Sequence, residues 1–240
     1  MLDLILPPKC LKCASRVDVA HSICPDCWKE LQFLTGNKCA CCGYPFGIDA
    51  TVDYSLVGET LCGVCAKGPR HFDRAISALR YDDESRDMVI GFKHNDRTEY
   101  ARYFTKLLQM AGKDLIEQSD IVAPVPLHKR RLLNRRYNQS ALLSARLAFD
   151  AGLKHEPELL IRTKNTPPQQ GNLNKRQKNV SGAFRMKVKK DIKDKNILLI
   201  DDVYTTGATV ENCARVLKKA GAGSVNILTV FRVIAPQSLK

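Results

Sequence analysis

The chain has 240 residues, 44% of them hydrophobic, enough for one medium domain with a small module beside it. No run of 18 apolar residues occurs, which excludes a transmembrane helix, and the short apolar start carries Asp3 where a secretory signal has positive charge, so a cytoplasmic protein is expected. The formal charge of +13, from 38 Lys+Arg against 25 Asp+Glu, invites a phosphate-bearing partner; a basic surface kept for solubility accounts for it equally well.

Nine of the ten cysteines precede residue 66. Such crowding at one end of an intracellular chain suggests metal rather than disulfides. Four pairs share C-x-x-C spacing: Cys10 and Cys13, Cys24 and Cys27, Cys39 and Cys42, Cys62 and Cys65. One such turn offers two thiolates to an ion, and two turns complete a tetrahedron, so two structural zinc ions are expected. Loaded with both, the chain would carry about +9. The intervals favour two sequential sites, pairs one and two then pairs three and four; an interleaved cross-brace uses the same ligands. Disulfides or a redox C-x-x-C are the rival chemistry. Cys41 and Cys213 are expected not to be ligands. Lys9, Lys12, Arg16, Lys29 and Lys38 surround the first site, and Trp28 and Phe33 either stack on bases or form the module's small core.

From residue 72 the composition becomes that of an α/β domain, dividing the chain into 1–70 and 71–240. FDRAISALRY (72–81) reads as a strand; residues 85–94 and 101–117 have helical spacing. IVAPVP (121–126) is a short buried strand stopped by proline. The basic loop that follows leads into an amphipathic helix over 138–153, ending near Gly152, and then a strand over 158–163. Residues 164–180 are a long polar loop without core pattern. NILLIDD (196–202) is a strand ending in two acids. A helix over 208–223 carries an apolar stripe at Val210, Cys213, Ala214 and Leu217, and 224–233 is the closing strand. Strands alternating with helices predict a doubly wound, mainly parallel sheet.

In such a sheet ligands bind beyond the carboxyl ends of the strands. Asp201 and Asp202 stand at such an end, followed by the hydroxyl-rich VYTTGAT and a helix start. Backbone N–H groups, Thr hydroxyls and the helix dipole suit an anion there, and the acids suit sugar hydroxyls. A sugar phosphate is the expected ligand. A second candidate segment, 127–136, holds His128, Lys129, Arg130, Arg131, Arg135 and Arg136. Guanidinium forks match pyrophosphate oxygens. A solvated basic loop or a nucleic-acid contact fits the same residues.

Ile197 to Thr209 resembles the signature of type I phosphoribosyltransferases: an apolar strand, Asp-Asp, then Thr-Thr-Gly-x-Thr. The resemblance implies that Asp201 and Asp202 contact the ribose hydroxyls and that Thr205, Thr206, Gly207, Ala208 and Thr209 hold the 5-phosphate of phosphoribosyl pyrophosphate, with Mg2+. Pro-Val-Pro-Leu-His, the arginines and Arg-Tyr-Asn-Gln (123–139) narrow it to the ComF group of competence-associated, phosphoribosyltransferase-like proteins. Lys93 within 91–101, the Gln170, Leu173, Arg176, Asn179, Phe184 pattern and the cysteine pairs agree with that group. It implies a double zinc ribbon, pyrophosphate contacts at Leu127, His128, Arg130, Arg131, Arg135, Lys93 and Arg176, and a role in natural transformation and DNA utilization. Implied partners are single-stranded DNA, the competence helicase and other DNA-uptake proteins. The pyrophosphate segment differs from ordinary salvage enzymes in lacking paired glycines. Either the chain transfers phosphoribose, with the polar loop closing over the site, or the same site binds nucleotide or DNA without turnover.

Overall fold

The computed structural model describes residues 7–47, 60–94, 97–135, 137–164, 182–187 and 191–234. Five parallel strands form the central sheet: β1 (Arg74–Tyr81), β2 (Ile121–Pro124), β3 (Lys154–His155), β6 (Asn196–Tyr204) and β7 (Ser224–Val233), in the order β1-β7-β6-β2-β3. A short antiparallel pair, β4 (Leu160–Arg162) and β5 (Phe184–Met186), stands apart. The helices are α1 (Pro25–Glu30), α2 (Asp83–His94), α3 (Tyr100–Ala111), α4 (Lys113–Glu117), α5 (Lys129–Arg135), α6 (Gln139–Ala151) and α7 (Ala208–Lys219).

The pattern of β6 explains its central place. Ile197 to Ile200 are fully buried. Ile197 and Leu199 join an apolar cluster with Val210, Cys213, Ala214 and Leu217 of α7. Leu198 and Ile200 join another with Leu107 and Leu108 of α3 and Leu143 and Leu147 of α6. Period-two alternation thus feeds a core on each face, and each such side chain contributes about 1.5–3 kcal/mol. The expected parallel sheet with helices on both faces is present. Among the described residues, no helix is long and apolar enough to cross a membrane.

From β2 the chain passes to β3 on one side, and β6 lies on the other. That reversal makes a crevice beyond the carboxyl ends of β2 and β6. Asn138 caps α6 there, its side chain accepting from the Ser140 amide.

Four details depart from the sequence expectation. The helix over 101–117 breaks at Gly112, because a Cβ there would come within 2.6 Å of the Leu228 methyls and the chain must pass close to β7. The basic segment contains a helix, α5. The strand near 158–163 pairs with β5 rather than with the main sheet. The helix after β6 stops at Lys219. The polar loop, apart from Lys164, lies outside the described residues, as do Gln170, Leu173, Arg176 and Asn179.

The cysteine-rich segment lies along the outer edge of β1. The Leu34 amide donates to Ala78 O (2.9 Å), Arg80 N to Gln32 O (2.8 Å) and Ala75 N to Cys41 O (2.7 Å). This covers a strand edge that would otherwise be open. Leu11, in the first cysteine turn, accepts from Tyr100 Oη (2.5 Å) and Arg97 Nη2 (3.1 Å) at the start of α3. Phe33 packs against the main core and lies against Trp28, with ring centroids 4.6 Å apart and planes tilted by 39°, while Trp28 itself is exposed.

Candidate functional site

The acid pair sits where β6 leaves the sheet. Asp201 Oδ1 accepts from Ser140 Oγ at 2.8 Å, from the first turn of α6, and from the Asp202 amide at 3.0 Å. Lys93, in the last turn of α2, pairs with Asp202 Oδ2 at 2.8 Å. Three elements thus converge on two adjacent carboxylates. Burial, and next the charge of Asp202, push the Asp201 carboxyl up to about 7; Ser140, the Asp202 amide and Lys93 act in the opposite sense.

The turn that follows is built around Gly207. Its φ of +78° lies in the left-handed region, and an added Cβ would stand 2.2 Å from Tyr204 Oη. Only glycine lets the chain reverse here and enter α7. The Ala208 amide and Thr206 Oγ1 approach at 3.4 Å; Thr205 is exposed and Thr209 half-buried. Amides at the start of α7 and the Thr hydroxyls at 205 and 206 form a surface suited to an anion.

On the β2 side, Leu127 and His128 are half-buried, and Arg130 is exposed. His128 caps α5, its Nδ1 accepting from the Arg130 amide at 3.3 Å. Arg131 stands near Arg162 of β4, whose guanidinium is held below its ordinary value by burial first and by Arg131 second. A groove of about 930 Å³ runs between this segment and the β4–β5 pair, lined in part by His128, Lys129, Leu132, Leu160, Arg162 and Arg185. It lies beside the acid pair, which is not part of its wall. Arg135 ends α5.

The structure therefore brings Lys93 to Asp202, with the turn at 205–209 following directly, while Leu127 and His128 line the neighbouring groove. Sequence reasoning missed Ser140, Arg162, Tyr137 and Gln139. Tyr137 Oη donates to Phe92 O (2.8 Å), and Gln139 Nε2 to Phe92 O (3.3 Å) and Lys93 O (3.2 Å). Both pin the end of α2, hence Lys93. Their signal was a polar run inside the Arg-Tyr-Asn-Gln motif, without an indication of what it touches.

The cysteines form two groups, Cys10, Cys13, Cys24, Cys27 and Cys39, Cys42, Cys62, Cys65, with ligand atoms within 4.8 Å of one another. The pairing is sequential, not cross-braced. Cys13 and Cys24 sulfurs are 3.7 Å apart, Cys42 and Cys62 sulfurs 3.6 Å. A zinc tetrathiolate has sulfur edges of about 3.8 Å, so both groups fit the ion. Amides of Cys24, Cys42 and Cys62 point at Cys10 or Cys39 sulfur, at 3.3–3.5 Å, as thiolates require. Cys41 is outside both groups, and Cys213 is buried in the stripe of α7.

Fold, crevice and cysteine groups together define a phosphoribosyltransferase-type α/β protein carrying two zinc ribbons. Comparison with family models agrees: residues 1–66 match the double zinc ribbon domain and residues 140–240 the phosphoribosyl transferase domain. Relatives extend along nearly the whole chain. Competence protein F of Haemophilus influenzae is 26% identical over 232 residues, 93% of this chain and 96% of that protein. DNA utilization protein YhgH of Escherichia coli (strain K12) is 26% identical over 238 residues, 96% of this chain and 100% of that protein. Competence protein ComFC of Bacillus subtilis (strain 168) is 29% identical over 214 residues, 88% of this chain and 85% of that protein. The chain is a homologue of these ComF-type proteins.

Proposed function

We propose that the chain binds phosphoribosyl pyrophosphate in the crevice beyond β2 and β6 and that, like relatives named for competence and DNA utilization, it acts on imported DNA or its nucleotides in the cytoplasm. The observation that carries this reading is the Asp201–Asp202 pair, braced by Ser140 and Lys93 and followed by the left-handed Gly207 turn. The carboxylates accept from the ribose 2- and 3-hydroxyls. Thr205, Thr206, Gly207, Ala208 and Thr209 seat the 5-phosphate at the start of α7. Leu127, His128, Arg130, Arg131, Arg135, Lys93 and Arg176 serve the pyrophosphate. The positive charge of Arg131, felt at Arg162, supports this, since both add to a field that attracts an anion.

Carboxylate oxygens are hard donors, so Asp201 and Asp202 fit Mg2+ together with pyrophosphate oxygens. Bound there, the ion would neutralise charge on the leaving pyrophosphate. In a transfer reaction the ribose C1–O bond to pyrophosphate breaks and a bond to the acceptor forms, with the acids orienting the sugar and the basic segment stabilising the leaving group.

A second reading is a non-catalytic nucleotide or single-stranded DNA module docking on the competence helicase. The basic segment favours it, since it lacks the usual glycines and folds as α5. Calorimetry with phosphoribosyl pyrophosphate and Mg2+ tests the common core. Changing both acids (Asp201→Asn with Asp202→Asn) is expected to weaken binding about a hundredfold while the fold persists; unchanged affinity refutes the site. Pyrophosphate release with a nucleobase separates enzyme from binder, and oligonucleotide affinity that falls steeply with salt marks the DNA module.

A further inference from the structure

The register of the sheet sets Tyr204, the last residue of β6, beside Arg232 of β7. Both side chains are buried. The Arg232 guanidinium lies 4.3 Å from the Tyr204 ring centroid and 5.4 Å from that of Tyr44. Its Nη1 donates to Cys42 O at 2.6 Å, and its Nη2 reaches Cys42 Sγ at 3.5 Å. Tyr204 in turn touches Gly207, leaving no room for a Cβ. One unbroken set of contacts therefore joins the second cysteine group to the turn at 205–209.

The charges explain why an arginine occupies this place. Zinc with four thiolates carries a net charge of about −2. A buried guanidinium is tolerated only beside such a charge. Arg232 answers it at Cys42, and Cys65 favours the charged form of Arg70 against the opposing effect of burial. Next to Arg70, His71 holds Glu211 in the first turn of α7, with Nδ1 to Oε1 at 2.6 Å and the backbone amide at 3.2 Å. The second cysteine group thus meets the turn through Arg232 and Tyr204, and the segment just after it meets the first turn of α7 through His71. The first cysteine group packs with Val17 and Ile23, and it reaches the α/β part through Leu11 with α3 and through Lys12 with Glu84 of α2.

We infer that Arg232 is a positioning residue: the metal-loaded Cys39–Cys42–Cys62–Cys65 group fixes its guanidinium, the guanidinium fixes Tyr204, and Tyr204 holds the Gly207 turn in the shape that receives a phosphate. This rests on the reading of 205–209 as the phosphate seat. A weakened second zinc site loosens the turn while the residues of the phosphate seat are themselves unchanged.

The test uses the zinc-loaded full chain and follows amide hydrogen exchange. Arg232→Met should speed exchange in a peptide spanning 204–209 about threefold or more, and leave a control peptide from β2 unchanged. A general loss of stability would move both. Phosphoribosyl pyrophosphate affinity should fall about tenfold, with Arg232→Lys intermediate because it restores the charge but not the planar fork. Cys65→Ser should reproduce the loosening, and Cys13→Ser, in the first group, should not. If Arg232→Met fails to melt cooperatively, Arg232→Lys carries the same comparison. Wild-type exchange over 204–209 in the Arg232 variants, or equal loosening by the two cysteine variants, overturns the inference. Failure of the wild-type protein to bind phosphoribosyl pyrophosphate overturns the functional reading alone, because the exchange comparison stands without a ligand.

Discussion

Asp201 combines two demands that conflict. A carboxylate placed to accept from sugar hydroxyls must be ionised, yet burial and the adjacent Asp202 push it up to about 7. Its ordinary value is near 4 in an unfolded chain. Between about pH 4 and 7 the folded protein therefore holds a proton that the unfolded chain has lost, and stability falls as pH rises through that window. Asn at this position still accepts from Ser140 and the Asp202 amide without the charge. Asp201→Asn is thus expected to melt about 2–4 °C higher than wild type at pH 8, a change of about 1 kcal/mol, with the difference closing by pH 5. The same variant should bind phosphoribosyl pyrophosphate poorly. Thermal melts across pH 5–8 with parallel calorimetry check both; a lower melting point at pH 8 contradicts the account of a strained acid. Ligand affinity of the wild type should weaken below pH 7 as Asp201 takes up its proton.

At the scale of elements, four consecutive residues tie the crevice together. Tyr137 and Gln139 satisfy carbonyls at the end of α2, Asn138 caps α6 and donates to Val125 O at 3.1 Å, and Ser140 holds Asp201. Gln139 is buried, so Gln139→Leu strands the Lys93 carbonyl and leaves that of Phe92 to Tyr137 alone. It should cost about 1–3 kcal/mol in denaturant unfolding and also weaken ligand binding, because Lys93 loses its anchor. Lost stability with full affinity would show that α2 does not need this pin. The elements legible in the sequence were those whose cause is local. The apolar run 197–200, the stripe of α7 and the acids at a strand end all announce themselves by spacing. The break at Gly112 depends on Leu228, far along the chain. Strand β4 left the main sheet because its partner is a three-residue strand beyond the polar loop. Helix α5 carries only Leu132 and Leu133 as apolar residues, too few for a helical period to show. Arg232 read as an ordinary strand residue, since its neighbour Tyr204 is set by register across strands.

For the molecule as a whole, the two zinc groups are joined to the α/β part by shared packing rather than by a tether. Cys39, Cys42, Cys62 and Cys65 belong to one apolar cluster with Val225 and Ile227 of β7. Leu11 and Leu31 belong to another with Leu79 and Phe104. The segment also covers the outer edge of β1. Structural zinc contributes roughly 10–16 kcal/mol in small zinc folds, comparable to the whole stability of a domain, about 5–15 kcal/mol. Removing it should therefore unfold more than the ribbons. We expect metal analysis to find about two zinc per chain. Stripping by a strong chelator should lower the melting temperature of the entire protein in one transition, abolish ligand binding and promote aggregation through the uncovered edge of β1. Calorimetric scans of holo and stripped protein decide this. If the stripped protein instead shows an α/β transition at its original temperature, with ligand binding intact, the ribbons are an appended module and the shared cores contribute little to its stability.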